Sequence, residues 1–177
     1  MLFLLAIGLG LVFGLLTGGR LTNLLAIKFR WPWLVLAAVV VRDAALLTPL
    51  NGMAGVQYAY LAGLVAIVAW TVWHWRRLRG IWIVTLGAAL NLLVIAANGA
   101  RMRVAPEFAG SLVSRGSVGQ YTLMGPGTNL NLLGDWIRLY PAPGAYSIGD
   151  VLIALGLAIV LFLAVRNPSP YKELTPP

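Results

Sequence analysis

The feature that most constrains this chain is a series of five apolar runs, at about residues 1–17, 31–50, 55–75, 81–98 and 147–165. A helix needs roughly 17–25 mostly apolar residues to cross about 30 Å of hydrocarbon. Backbone N–H and C=O groups in hydrocarbon must be bonded within the protein, and a helix achieves this within one segment. Composition agrees: 60% of the 177 residues are hydrophobic and 10% are charged, with mean hydropathy +0.86. An average soluble domain has about 45–50% apolar and about 25% charged residues. A disordered chain has low hydrophobicity and high charge, so disorder is excluded too. The expected fold class is all-α: a polytopic membrane protein with five transmembrane helices in a single domain over 1–166. An outer loop covers 99–146. The tail 167–177 holds Pro168, Pro170, Pro176 and Pro177 and is expected to be disordered and cytoplasmic.

The first run begins at Met1 with no charge before it, and Arg20 follows it. A cleaved signal peptide carries its positive charge first and ends in a small-residue cleavage site, so a retained helix is expected. Basic residues in the short connections set orientation. Arg20, Lys28 and Arg30 lie after the first run, Arg76, Arg77 and Arg79 after the third, and Arg166 and Lys172 after the fifth. This alternation predicts the N-terminus outside and the C-terminus in the cytoplasm of a bacterial cell membrane. Arg101 and Arg103, close to a helix end on the outer side, run against the rule. Trp31, Trp33, Trp73, Trp75 and Trp82 fall at the expected inner interface, where an amphipathic indole is favoured.

Chemistry is sparse. The absence of cysteine removes disulfides, thiolate metal sites and cysteine nucleophiles. His74 is the one histidine, and its flanking Trp73, Trp75, Arg76 and Arg77 suit an interface anchor better than a ligand. No HExxH, Walker A or GxSxG pattern occurs. No catalytic residue, cofactor or metal ligand is therefore assigned.

Several polar or small residues nevertheless stand out. Gly10, Gly14 and Gly18 form a small-xxx-small face on the first helix, suited to packing in the bundle or against a protein partner's helix. Arg42 and Asp43 lie about 11 residues into the second run, near mid-membrane at 1.5 Å per residue. A charge there faces an interior partner, lines a polar cavity or snorkels outward. Asn91 and Asn98 share a face of the fourth helix, as interhelical glue or part of a site. Ser147 and Asp150 form a capping-box-like start to the fifth helix, and Asp150 is expected to meet Arg42. Arg101 and Arg103 suit headgroup phosphates or a pairing with Asp135 or Glu107. Leu130, Leu133, Ile137 and Tyr140 repeat at three or four, predicting a short amphipathic or re-entrant helix over 128–140 at the outer face. The candidate polar cluster is thus Arg42, Asp43, Asn91, Asn98, Arg101, Asp135 and Asp150.

Asn98-Gly-Ala-Arg101-Met-Arg103-Val, Leu133-Gly-Asp135 and Ser147-Ile-Gly-Asp150-Val resemble the C-terminal signature of a bacterial integral membrane family known only as a domain of unknown function. That family's pattern has a proline where this chain has Arg103. The resemblance extends over nearly the whole chain. It implies no activity, substrate or cofactor, and marks the region of Arg101, Asp135 and Asp150 as distinctive.

Three functional readings follow. The first is a non-enzymatic subunit or assembly factor of a membrane complex, carried by the glycine face. The second is a small transporter, channel or lipid-binding protein with an outward polar cavity. The third is an intramembrane enzyme acting on a lipid-linked anionic substrate through Asp135, Asp150 and Arg101. Membrane lipids are expected partners in all three. The net charge of +8 is not a nucleic-acid footprint, because most of it lies where it orients helices. Arg42, Arg101, Arg103, Arg115 and Arg138 are the basic residues that orientation leaves unexplained.

Overall fold

The computed structural model describes residues 1–26, 30–47, 53, 55–110, 117–118 and 120–167. Among the described residues five α-helices form the frame: α1 (Leu2–Leu16), α2 (Pro32–Leu47), α3 (Val56–His74), α4 (Ile81–Ala97) and α5 (Ile148–Arg166). Between α4 and α5 the described residues include the short strands β1 (Met102–Val104), β2 (Ser117–Val118), β3 (Tyr121–Leu123), β4 (Ile137–Leu139) and β5 (Ala142–Tyr146).

The helices end where local chemistry stops them. Gly18, at φ +89°, closes α1 in a Schellman turn. Its N–H reaches Leu15 O at 3.0 Å, and the next N–H reaches Gly14 O at 2.9 Å. α4 stops the same way, with Gly99 at φ +66° and the Ala100 N–H on Ile95 O at 2.9 Å. α5 opens with a reciprocal capping box between Ser147 and Asp150.

α3 and α5 are long and apolar enough to cross a membrane by length and composition, and α1 and α4 are shorter apolar helices. Leu9, Phe13, Leu16, Leu36, Val40, Val65, Val72 and Leu93 are exposed on α1, α2, α3 and α4. Each helix packs on its neighbour in a row ordered α2, α3, α4, α5, α1. The α4–α5 seam is filled by Leu78, Ile81, Val84 and Val160. α1 meets α5 closely because Gly10 has no side chain: a Cβ there would overlap the Ala158 backbone.

The segment between α4 and α5 overturns the all-α expectation. β1 pairs parallel with β3, Met102 opposite Tyr121, and β2 pairs antiparallel with β3, giving the order β1-β3-β2. β4 and β5 form a second, antiparallel pair with an irregular register. The amphipathic or re-entrant helix expected over 128–140 is not formed. A 3₁₀ turn spans Asn131–Leu133, Leu130 takes φ +55°, Gly134 is extended, and 137–139 is strand β4. Tertiary pairing wins over the three-and-four apolar spacing because the chain here bonds to β1 and β5. Val94, Ile95 and Met102, with Tyr121 and Leu133 against them, seat this layer on the end of α4.

Candidate functional site

Two aspartates from the predicted cluster lie where the strand layer meets α4 and α5. Asp150 is held by bonds from both helices. Asn91 on α4 donates its amide to Asp150 Oδ1 at 2.8 Å, and the Ser147 N–H donates to Asp150 Oδ2 at 3.2 Å. The Ser147 hydroxyl donates to Asn91 Oδ1 at 2.8 Å and accepts the Asp150 N–H at 2.9 Å. Gly149 makes the ring possible, since a Cβ there would overlap the Asn91 carboxamide. Ser147 is wholly buried, and Asn91 nearly so. A closed, satisfied ring of this kind ties two helices together and fixes α5 in register.

Asp135 has the opposite surroundings. Its backbone is stitched to β1: its N–H donates to Arg103 O at 2.7 Å, and its C=O accepts the Ala105 N–H at 2.9 Å. Gly134 permits that approach, because a Cβ would stand 2.8 Å from Arg103 O. The side chain is 7% exposed, and Oδ1 has no hydrogen-bond partner. Burial pushes the carboxyl up to about 8, and the charge of nearby Asp150 adds to the rise. Asp135 also lies in the wall of an open pocket of about 230 Å³, with Val104, Phe108, Tyr121 and Ala145.

Two further buried atoms in this layer lack partners, Arg103 Nε and Gln120 Oε1. Burial lowers the Arg103 guanidinium from its ordinary value, with Arg101 beside it adding to the effect. Arg103 therefore does not satisfy Asp135, although their backbones touch. Gln120 anchors β1 through its carbonyl, which accepts the Met102 N–H at 2.7 Å. Nothing in the sequence singles out Gln120, Phe108 or Tyr121. They reach this place only through strand pairing.

The remaining predicted residues are spread out. Asn98 joins α4 to the loop before α5: its amide donates to Val94 O at 2.7 Å and Asn129 O at 2.8 Å, and its Oδ1 accepts the Asn129 N–H at 2.8 Å. Arg101 precedes β1 and is half-buried. Arg138 lies over the Phe108 ring at 5.0 Å. The side chains of Arg42 and Asp43 lie outside the described residues, and so does the expected Arg42–Asp150 contact, as do Arg115 and the tail from 168 onward. Gly10 and Gly14 face α5 at Ala158 and Val165, so α5 of the same chain fills that face. Gly18 has no atom within 4 Å of a Cβ position and serves the turn instead. His74, read from the sequence as an interface anchor, is 1% exposed, and both ring nitrogens are bonded.

Among the described residues no group of three or more His, Cys, Asp or Glu is placed to hold a metal ion. Residues 26–162 match the model of a family described as a family of unknown function (DUF5317). No curated protein and no solved structure matches the chain.

Proposed function

The chain belongs to DUF5317, a family of unknown function, and from the geometry above we propose that it is a five-span membrane protein whose outer strand layer binds a small organic cation at Asp135. The observation that carries this reading is the Asp135 carboxyl, buried with an unpartnered Oδ1 and lining a pocket with Phe108 and Tyr121. Buried polar groups are nearly always bonded, so an unpartnered oxygen in a pocket wall is suited to a donor from outside. A carboxylate beside aromatic faces favours an ammonium group, which gains charge pairing at one end and ring contact at the other.

The membrane part rests on helices that are mostly apolar and expose large apolar side chains. In this reading all five helices span, with α1, α2 and α4 meeting a locally thin bilayer or extending through flanking residues. Arg20, Arg76, Arg77, Arg79 and Arg166 then lie at the cytoplasmic end and the strand layer lies outside. The subunit or assembly-factor reading loses its main motive, because the glycine face is taken up within the chain.

Binding of a cation favours ionised Asp135, so at neutral pH a proton leaves as the ligand enters. Benzylammonium is a suitable probe. Titrated calorimetrically at pH 7 in two buffers of different ionisation heat, the protein should show binding accompanied by proton release. Asp135→Asn should abolish both. Equal binding by the variant, or binding without proton release, sinks the assignment of Asp135. Because the chain has no cysteine, Glu107→Cys and Arg77→Cys report orientation directly. An impermeant maleimide added to whole cells should label the first and spare the second.

A further inference from the structure

The helix ends away from the strand layer carry a second pocket of different character. The turn entering α2 lies against the last turns of α3 and is clamped from both sides at Arg30. The Arg30 N–H donates to His74 Nε2 at 3.3 Å, and the Trp70 indole N–H donates to Arg30 O at 2.9 Å. His74 completes the clamp through Nδ1, 2.8 Å from Trp70 O, with its ring 4.1 Å from the Trp70 ring. These bonds assign the Nδ1–H tautomer, which leaves Nε2 free to accept. Trp31, next in the chain, stands at φ +58°, a left-handed conformation that is strained for a bulky residue. The clamp holds that strained turn in place and with it one wall of a cleft.

The cleft has a volume of about 170 Å³ and is lined by Arg30, Trp31 and Leu34 on one side and Ala66, Ala69 and Trp73 on the other, above the Trp70–His74 pair. Its lining is almost wholly apolar, with the Arg30 guanidinium over the Trp73 ring at 6.0 Å. Pockets that enclose a whole small ligand run to about 300–1,000 Å³. This one is the size of a segment, and it opens between two helices whose outer faces are apolar. Trp33 and Trp82 in the first turns of α2 and α4 and Trp75 after α3 are exposed, and Arg76 and Arg77 follow Trp75. The acidic residues with described side chains, Glu107, Asp135 and Asp150, all belong to the opposite end. Charge and shape thus select the same occupant: an apolar chain joined to an anionic group.

We propose that this cleft is a binding site for an anionic phospholipid, with part of one acyl chain between Trp31 and Trp73 and the headgroup phosphate on Arg30. The Trp70–His74–Arg30 clamp acts as a positioning element, fixing the backbone that presents both the ring and the charge. The inference rests on the membrane reading above but not on the Asp135 site. A small polar site at one end and a lipid site at the other call on separate residues.

The test is lipid retention by the full-length protein purified in mild detergent, measured by native mass spectrometry after adding phosphatidylglycerol or phosphatidylcholine. One phosphatidylglycerol should be retained in preference to phosphatidylcholine by about fivefold, the effect of a single interfacial arginine on an anionic headgroup. Arg30→Gln should remove the preference, while Arg76→Gln, outside the cleft, should leave it. Ala69→Trp, which fills the cleft, should lower retention of both lipids, and a melting curve confirms that the variant is folded. Leu34→Trp serves if it is not. Glycerol phosphate at millimolar concentration should not displace the lipid. Retention unchanged in Arg30→Gln would overturn the headgroup assignment, and displacement by glycerol phosphate would overturn the acyl-chain part. A protein that stays soluble and monodisperse without detergent would instead remove the membrane reading itself.

Discussion

Asp150 and Asp135 both follow a glycine, and both glycines exist because a neighbour comes too close for a Cβ. Their side chains nevertheless end in opposite circumstances. Asp150 sits at a helix start, where the first-turn N–H groups seek acceptors, and a partner helix supplies Asn91 as well. Asp135 sits at the edge of a strand layer, where its backbone is fully employed and its side chain is not. The difference teaches that the same dipeptide builds a joint when the backbone needs an acceptor and leaves a carboxyl oxygen unpartnered when it does not.

That contrast can be broken in order of expected effect. Gly149→Ala should do most harm. The new methyl displaces Asn91 and forces α4 and α5 apart, costing about 3 kcal/mol or more, read as a lower melting temperature in detergent. Survival of that variant at wild-type stability would mean the ring is looser than described. Asn91→Ala comes next. It strips a donor from Asp150 and an acceptor from Ser147 in a buried place, a loss of about 1–3 kcal/mol. Gly134→Ala should cost about 1–2 kcal/mol, since the backbone at Arg103 must give way but Met124 can swing aside. Its distinguishing sign is weakened ligand binding at Asp135 with the α4–α5 joint intact.

Asp135→Asn should have the smallest effect on stability near pH 4, under about 1 kcal/mol, because the native carboxyl is neutral there. Its signature is in the pH profile. The native carboxyl titrates near 8, above the unfolded value. The native state therefore holds a proton that the unfolded state has released. Wild-type stability should fall as pH rises from about 4 to about 8, by at most about 1.4 kcal/mol per unit, then level off. Asp135→Asn should remove that slope. Chemical denaturation at pH 5, 7 and 9 decides the matter, and a wild-type profile that rises over this range contradicts the assigned titration.

The helices were legible because their cause is local. Each long apolar run carries one α-helix, and Gly18, Asn98-Gly99 and Ser147-Ile-Gly-Asp150 mark ends by chemistry that acts within four residues. The strand layer was not legible. Its strands are two to five residues long, and β1 pairs with β3 across 102–123, beyond the reach of any periodicity. Leu130, Leu133, Ile137 and Tyr140 even carried a helical spacing, yet Ile137 joins β4 and Tyr140 is exposed. His74 read as an interface anchor beside charged neighbours, and its bonds to the Arg30 backbone and to Trp70 O appear only in the tertiary structure.

By itself, then, the sequence determined that five apolar segments become helices, where several of them stop, and that the chain has no sulfur or imidazole cluster for metal chemistry. Hydrogen bonding along a single segment suffices for those outcomes. The tertiary structure decided which polar groups are satisfied and which are not. Asn91 reaches Asp150 because two helices pack through Gly149, and Asp135 is left with an unpartnered oxygen because β1 takes up its backbone alone. Satisfaction of a buried group depends on what lies opposite it, and that is settled by packing between distant segments rather than by neighbours in the chain.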